Sequence, residues 1–341
     1  MRTVSVIAPC RNERTQVERF VADALAQQLP AGWALELIVA DGASDDGTRE
    51  RLAALAAGEP RLRLVDNPQR IVATGLNRAL AAARGEVIVR MDLHTTYAAD
   101  YVGQCLATLA RTGADNVGGP WRAEGRGPWG RAIAAAFQSR WVAGGARSRS
   151  LTHDGPVDTV YLGCWPRAGF ARWGGFDETL VRNQDDEHNL RIVAGGGCVW
   201  QSPTIRSVYQ PRESLAAFAR QWLQYGYWKP FVMRKHGRAA ALRQLLPGAG
   251  VAALAGAALP ALAALVTPAG PGALPLLLLA GGYAAAVATL ATAVAARAGW
   301  ALLPRLLAVI ATQPLAYGAG SLLGAWDAWR HGRARHNRLT R

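Results

Sequence analysis

Three clusters of acidic residues stand where carboxylates can do chemistry. Asp92-Leu93-His94 follows directly on the apolar run Val87-Ile88-Val89-Arg90-Met91. A carboxylate and an imidazole two positions apart at a strand end can hold a divalent cation against a diphosphate. Oxygen ligands suit Mg2+ or Mn2+, and imidazole is better accepted by Mn2+; an ordinary polar turn has the same composition. Asp41 opens the loop ADGASDDGT, where a carboxylate can accept hydrogen bonds from a nucleobase or ribose while Asp45 or Asp46 caps the helix that follows. Gln184-Asp185-Asp186-Glu187 crowds three acids together. They cannot all be buried and ionised cheaply, so at least one faces water, a metal or a substrate. One role is general base beside an acceptor hydroxyl; the other is a charged helix N-terminus. A fourth group runs from Arg220 to Lys229 with Gln221, Trp222, Gln224, Tyr225 and Trp228. Aromatic faces there can stack on sugars and cations can contact diphosphates, or the segment is a helix lying at a membrane surface.

The elements that must position these groups alternate in kind. Val4 to Ala8, Leu35 to Ala40, Leu62 to Val65 and Glu86 to Met91 read as short buried strands. Thr15 to Gln28, the stretch from Thr48, and Ala73 to Ala83 carry helical spacing. Such alternation implies an α/β fold with a mostly parallel sheet covered by helices. In open α/β sheets ligands sit at the carboxyl ends of the strands. Those ends are Pro9 to Glu13, Asp41 to Gly47, Asn67 to Arg70 and Asp92 to His94. The stretch from Ala114 to Tyr209 is less regular, and Leu215 to Met233 reads as an amphipathic helix.

The chain has 341 residues and a formal net charge of +14. Charged residues vanish between Arg243 and Arg297, a run of roughly fifty residues that can hold about two membrane-spanning helices. Pro247–Val266 and Ala273–Ala296 are candidate spans, separated by a breaker at Thr267–Gly272. A third, Leu302–Trp326, is interrupted by Pro304, Arg305, Gln313 and Pro314. Cations flank the apolar region: Arg234, Lys235, Arg238 and Arg243 before it, Arg330, Arg333, Arg335, Arg338 and Arg341 after it. That placement fits cytoplasmic flanks facing anionic lipid. Zinc-finger spacing, an RNA-binding aromatic signature and a basic zipper are all missing from the sequence, so nucleic acid is not expected as a partner. The scattered cysteines Cys10, Cys105, Cys164 and Cys198 read as reduced thiols. The first apolar run is too short for a signal peptide, so the first domain is expected to stay in the cytoplasm.

In order, the segments VSVIAPCRNE, LIVADGASDDGT, ATGLNRALAAARGEVIVRMDLHT, GGFDETLVRNQDDEHNLRI and RQWLQYGYWK resemble the family 2 glycosyltransferases of GT-A fold. The likeness is to bacterial exopolysaccharide enzymes of the succinoglycan-synthesis type. The resemblance implies that Pro9, Arg11, Asn12 and Glu13 line a nucleotide pocket, with Glu13 near the ribose, and that Asp41 meets the base. It places Arg70, Gly75 and Asn77 beside the nucleotide and diphosphate. It makes Asp92 and His94 the metal motif, His94 standing where a second aspartate is usual. Gly175, Phe176 and Asp177 fall on the acceptor-side turn. Asp185 falls on the catalytic base, with Gln184 replacing the family's glutamate and Asp186 the alternative base. Processive members carry a Gln-x-x-Arg-Trp signature; Gln224 and Trp228 fit it as substrate-binding residues, but Tyr227 stands at the arginine position, which implies addition of one sugar.

The implied activity is inverting transfer from a nucleotide-sugar, UDP-linked by resemblance, to a lipid-linked or polysaccharide acceptor at the bacterial inner membrane. A divalent metal, Mg2+ or Mn2+, is the implied cofactor. The expected organisation is a catalytic domain over residues 1–213, an interfacial helix and basic linker over 214–243, a membrane region of two to three helices over 244–326, and a basic tail over 327–341. Three full spans would put the arginine-rich tail outside, against the positive-inside tendency; two spans, with the third segment re-entrant or interfacial, keep it inside. A membrane-tethered nucleotide-binding protein and a nucleotidyltransferase remain as alternatives.

Overall fold

The computed structural model describes residues 1–239, 241–263 and 272–336. Most of the breaker at 267–272 and the cations Arg338 and Arg341 lie outside the described residues. In chain order the elements are β1 (Arg2–Cys10), α1 (Val17–Leu25), β2 (Trp33–Asp41), α2 (Thr48–Gly58), β3 (Leu62–Asp66), α3 (Val72–Ala82), β4 (Val87–Arg90), β5 (Thr95–Tyr97), α4 (Tyr101–Thr112), β6 (Asn116–Gly119), β7 (Arg122–Ala123) and α5 (Gly127–Gln138). They continue with β8 (Gly155–Pro156), β9 (Tyr161–Pro166), α6 (Gly169–Trp173), α7 (Gln184–Ala194), β10 (Val199–Gln201), β11 (Ser207–Tyr209), α8 (Leu215–His236), α9 (Leu246–Ala263), α10 (Leu274–Ala298) and α11 (Leu303–Arg330). The chain divides into two compact units, Met1–Arg122 with Ala146–Tyr209, and Ala123–Gly145 with Gln210–Arg341.

The first unit is built on a sheet of order β3-β2-β1-β4-β9-β6-β10-β8. Its first four strands are parallel, in the registers Cys10↔Asp41, Asp41↔Asp66 and Ile7↔Arg90. Strand side chains alternate between faces. Val4, Val6, Ala8, Leu37, Val39 and Val89 therefore enter one apolar layer with Phe20 of α1 and Val102 of α4. Ile7, Ile38, Ala40 and Ile88 enter a second layer with Leu76 of α3 and Ile192 of α7. Burial on both faces is why these strands read as unbroken apolar runs. The stretch that looked irregular holds β9, antiparallel to both β4 and β6. All four cysteines are free.

The second unit gathers α5 and α8 to α11. The expected interruption of the last segment does not occur: α11 is continuous over Leu303–Arg330. Pro304 sits in its first turn, where a missing N–H costs nothing, and Pro314 is carried inside the helix. Helix α8 lies along it. The backbones meet where glycine leaves no room for a Cβ: Gly226 against Tyr317, Gly320 against Leu223, Gly324 against Tyr227. Further along, Tyr227 Oη donates to Asp327 Oδ2 at 2.6 Å and the Arg234 guanidinium donates to the Ala328 carbonyl. Higher numbers on α8 thus meet higher numbers on α11, and the two helices run in the same direction. The start of α9 packs beside the middle of α11, with Pro247 and Val251 against Gly318. Helix α5 joins this unit through Phe137, which contacts Phe218 and Trp222, and through Trp129, beneath Arg305. Among the described residues, three helices, Leu242–Ala263, Leu274–Ala298 and Trp300–Arg330, are long and apolar enough to cross a membrane.

Candidate active site

The loops after β1 and β2 are stitched together by side chains. Asn12 Nδ2 donates to Asp45 Oδ1 at 2.8 Å, and the Asp45 amide donates back to Asn12 Oδ1 at 3.0 Å. The Asn12 amide donates to Ser44 Oγ, the Glu13 amide to Thr48 Oγ1 and the Arg14 amide to Asp46 Oδ2. Asn12 has φ 56, a left-handed conformation that asparagine tolerates better than most residues. Its side chain is thus engaged in joining the loops. Asp46 accepts from the Thr48 amide and hydroxyl, which holds its carboxyl below the usual carboxylate range, the Thr48 hydroxyl being the main cause. The N-cap of α2 itself is Gly47, with no side-chain cap bond.

Asp41, expected to meet a base, is fully buried. Its Oδ1 accepts from Ser44 Oγ at 2.6 Å and its Oδ2 from Arg49 at 3.3 Å. In this conformation the carboxylate organises the loop from below. Pro9, next to last in β1, lies beside Gly75, where an added Cβ would come within 2.9 Å of Asn67 Nδ2 and 3.5 Å of the Pro9 and Ala40 side chains. Gly75 is needed for the close approach of α3 to the sheet. Arg11 and Arg70 are exposed at the rim, Arg70 with φ 63. Asn77 exchanges hydrogen bonds with the Phe176 backbone, both at 2.8 Å. Gly175 packs on the same amide, Phe176 is buried in the second apolar layer, and Asp177 shapes its turn by accepting from Thr179. Arg191 ties that turn to α7 through the Gly175 carbonyl, while pairing with the buried Glu187.

The chemistry-bearing groups meet at the carboxyl end of β4. Arg90, only 5% exposed, forks onto Asp92: Nε to Oδ1 at 2.9 Å and Nη2 to Oδ2 at 2.8 Å. Its third nitrogen, Nη1, lies 3.8 Å from Asp185 Oδ2. Burial works against the guanidinium's charge, but Asp92 and then Asp185 outweigh it and lift its pKa above the usual arginine value. Asp185, with 39% of its side chain exposed, has its carboxyl pushed up by burial; Arg90 opposes this and Asp186 adds to it. The Asp186 amide donates to Asp185 Oδ1 at 2.9 Å. Tyr97 clamps the Asp92 backbone, its hydroxyl accepting from the amide at 2.6 Å and donating to the carbonyl at 3.0 Å.

His94 Nε2 lies 2.8 Å from Glu13 Oε1, so the expected ribose contact and the expected metal ligand touch. Among the described residues, no three His, Cys, Asp or Glu side chains form a preformed cage. An adjacent imidazole and carboxylate fit a cation that takes its remaining ligands from a diphosphate and water. Burial, and then Glu13, push the thiol of the nearby Cys10 well above its usual range. A cavity of about 700 Å³ lies at the other end of the strands, beside Arg2, Trp33 and Glu86; it holds none of these groups. Gln224 and Trp228 belong to the second unit, where both are buried on α8. The sequence reading missed Arg90 and Tyr97. A lone arginine inside an otherwise apolar strand was the available signal for the first.

Residues 5–165 match the family model described as Glycosyl transferase family 2. The succinoglycan biosynthesis protein ExoA of Rhizobium meliloti (strain 1021) is 31% identical over 253 residues, 71% of this chain and 73% of that protein. The chain belongs to glycosyltransferase family 2. A dolichyl N-acetyl-alpha-D-glucosaminyl phosphate 3-beta-D-2,3-diacetamido-2,3-dideoxy-beta-D-glucuronosyltransferase of Methanococcus voltae is 23% identical over 243 residues, 69% of this chain and 75% of that enzyme. The mannosyltransferase PcManGT from Pyrobaculum calidifontis, solved in complex with GDP-Man and Mn2+, superposes with TM-score 0.60 at 24% identity, covering 95% of this chain and 87% of that one. The fold of this family 2 glycosyltransferase is therefore GT-A, followed by three candidate membrane-spanning helices. Its activity is glycosyl transfer in polysaccharide or glycolipid synthesis.

Proposed function

We propose that this glycosyltransferase moves one sugar, with inversion, from a nucleoside-diphosphate sugar to a lipid-linked saccharide at the cytoplasmic face of the cell membrane. The observation that carries this reading is the convergence of Asp92 and Asp185 on one buried arginine, beside the Glu13–His94 contact. The diphosphate lies across the carboxyl ends of β1, β2 and β4, with Arg11 and Arg70 at the rim and Asp41 holding the loop that faces the base. Asp92 and His94 would hold a divalent cation whose other ligands come from the diphosphate and water, and which offsets charge on the departing diphosphate when bound. Asp185 takes the proton of the acceptor hydroxyl as that oxygen attacks the anomeric carbon from the side opposite the leaving group. Its raised pKa places it nearer neutrality than a free aspartate, which improves it as a base. Gly175, Phe176 and Asp177 shape the acceptor side. The family resemblance favours a UDP-linked donor, while the Pyrobaculum enzyme holds GDP-Man.

The proposed boundaries remain a catalytic part over 1–213, a linker helix over 214–243, a membrane region over 244–326 and a basic tail beyond. The basic residues flanking the apolar region on both sides favour an even number of crossings, with one of the three apolar helices not completing one. Both basic clusters then face the cytoplasm, in line with the positive-inside tendency.

Purified, detergent-solubilised protein should release nucleoside diphosphate from UDP- or GDP-linked sugars when lipid extract and Mn2+ are supplied. Asp185→Asn should keep nucleotide binding and lose transfer. Undiminished transfer in that variant would remove Asp185 as the base.

A further inference from the structure

Arg90 is spent only in part by the site as it stands. Its backbone is fixed at the end of β4, in register with Ile7 at the centre of the parallel sheet. Its Nε and Nη2 are committed to Asp92 in a two-bond fork. Nη1 is buried and, among the described residues, has no hydrogen-bond partner. The group it faces is Asp185 Oδ2, at 3.8 Å; that is an ion pair but too long for a hydrogen bond. A buried guanidinium N–H left unbonded is costly, and catalytic hydrogen bonds are often long in an empty site and tighten in the loaded one. Asp185 sits in the first turn of α7, behind Asn183 with φ 62. A short movement of that turn is enough to close the gap, and expulsion of water by substrate strengthens the attraction that drives it.

We propose that Arg90 is the positioning residue for the base: its fork on Asp92 fixes the guanidinium, and its free arm closes on Asp185 when the cleft is filled. The inference rests on Asp185 being the base and goes beyond it, because it makes the placement of that base depend on a side chain in a different strand. Arginine is required, since a planar fork can serve two carboxylates at fixed angles and an ammonium cannot. The role is orientation. Arg90 touches neither donor nor acceptor, and the proton passes from the acceptor hydroxyl to Asp185 alone.

The test compares Arg90→Lys, Asp185→Asn and the double variant in the full-length protein, with kcat and donor KM measured separately. A catalytic group displaced by about 1 Å loses about 100-fold in rate, so Arg90→Lys should lower kcat about 100-fold and leave donor KM within about threefold. Added to Asp185→Asn, it should lower the residual rate by no more than about threefold, because the base it orients is already gone. A merely structural Arg90 would lower both backgrounds alike, and that result overturns the proposal. So does an Arg90→Lys enzyme of normal kcat. Full activity in Asp185→Asn would remove the base reading itself, and the inference with it; an inactive Asp185→Asn beside an active Arg90→Lys removes the inference alone. If Arg90→Lys does not fold, as judged by its thermal unfolding, the unmutated protein decides. Its structure with Mn2+ and UDP or GDP should bring Nη1 to about 3 Å from Asp185 Oδ2. An unchanged gap there overturns the proposal.

Discussion

Ser44 is where the loops after β1 and β2 share one atom, and its removal should be measurable in both order and donor binding. Its hydroxyl donates to Asp41 Oδ1 at 2.6 Å and accepts from the Asn12 amide at 2.9 Å. The two bonds are unequal. The Asn12 amide is at an exposed position, so water replaces the lost acceptor at little cost. Asp41 is fully buried, and its oxygen has no water to recruit; a hydrogen bond to a charged group is worth about 1.5–3 kcal/mol. Ser44→Ala should therefore loosen the loop by about 2 kcal/mol, since the Arg49 contact to Asp41 Oδ2 survives. Global unfolding of a chain with two units is a poor gauge of this. Hydrogen exchange across residues 42–48 is a direct one: about 2 kcal/mol corresponds to exchange about 30-fold faster if the loop opens locally. Donor KM should rise about tenfold, the equivalent of about 1.4 kcal/mol. Ser44→Thr keeps the hydroxyl and should stay near the parent in both measures. Exchange within about threefold of the parent, together with an unchanged KM, would refute the idea that Asp41 organises the donor side through Ser44.

The pH dependence of transfer should show the raised Asp185. The base must be ionised, so the acid limb of kcat should lie above the 3.8 of an ordinary aspartate. Asp186→Asn removes a like charge and should move that limb to lower pH; loss of all transfer would instead make Asp186 the base. The sign for stability is opposite, because an acid with a raised folded pKa favours the fold at low pH and loses that contribution as pH rises through the folded value. Tyr227→Phe removes the hydroxyl that donates to Asp327 and accepts from the amides of Arg335 and His336. The buried Asp327 then loses a charged bond of about 1.5–3 kcal/mol, and faster proteolysis within 331–336 should follow; unchanged cleavage would mean that Tyr227 does not anchor that segment. Cysteines introduced at Arg238 and Arg333 should react with a membrane-impermeant reagent from the same side of the bilayer, and labelling from opposite sides would contradict an even number of crossings.

Local signals in the sequence determined the strand–helix alternation, the parallel half of the sheet and the position of the acidic motifs at strand ends. Those signals suffice because a buried parallel strand has to be apolar on both faces, and because polar residues can follow it only where the sheet ends. The order of the motifs was enough to name the family. The length of the apolar tail was enough to mark helices fit for a membrane. Tertiary structure decided which groups meet. Nothing near Asp92 in the sequence says that Arg90 also faces Asp185, that Glu13 reaches His94, or that Tyr97 clamps the Asp92 backbone. Burial of Asp41 was equally invisible, since a carboxylate in a polar loop reads as exposed until its partners are found. Helix α5 and the continuous α11 were missed for the same reason. Their glycines, prolines and arginines weaken the local pattern, and contacts with helices distant in the chain supply what local propensity lacks.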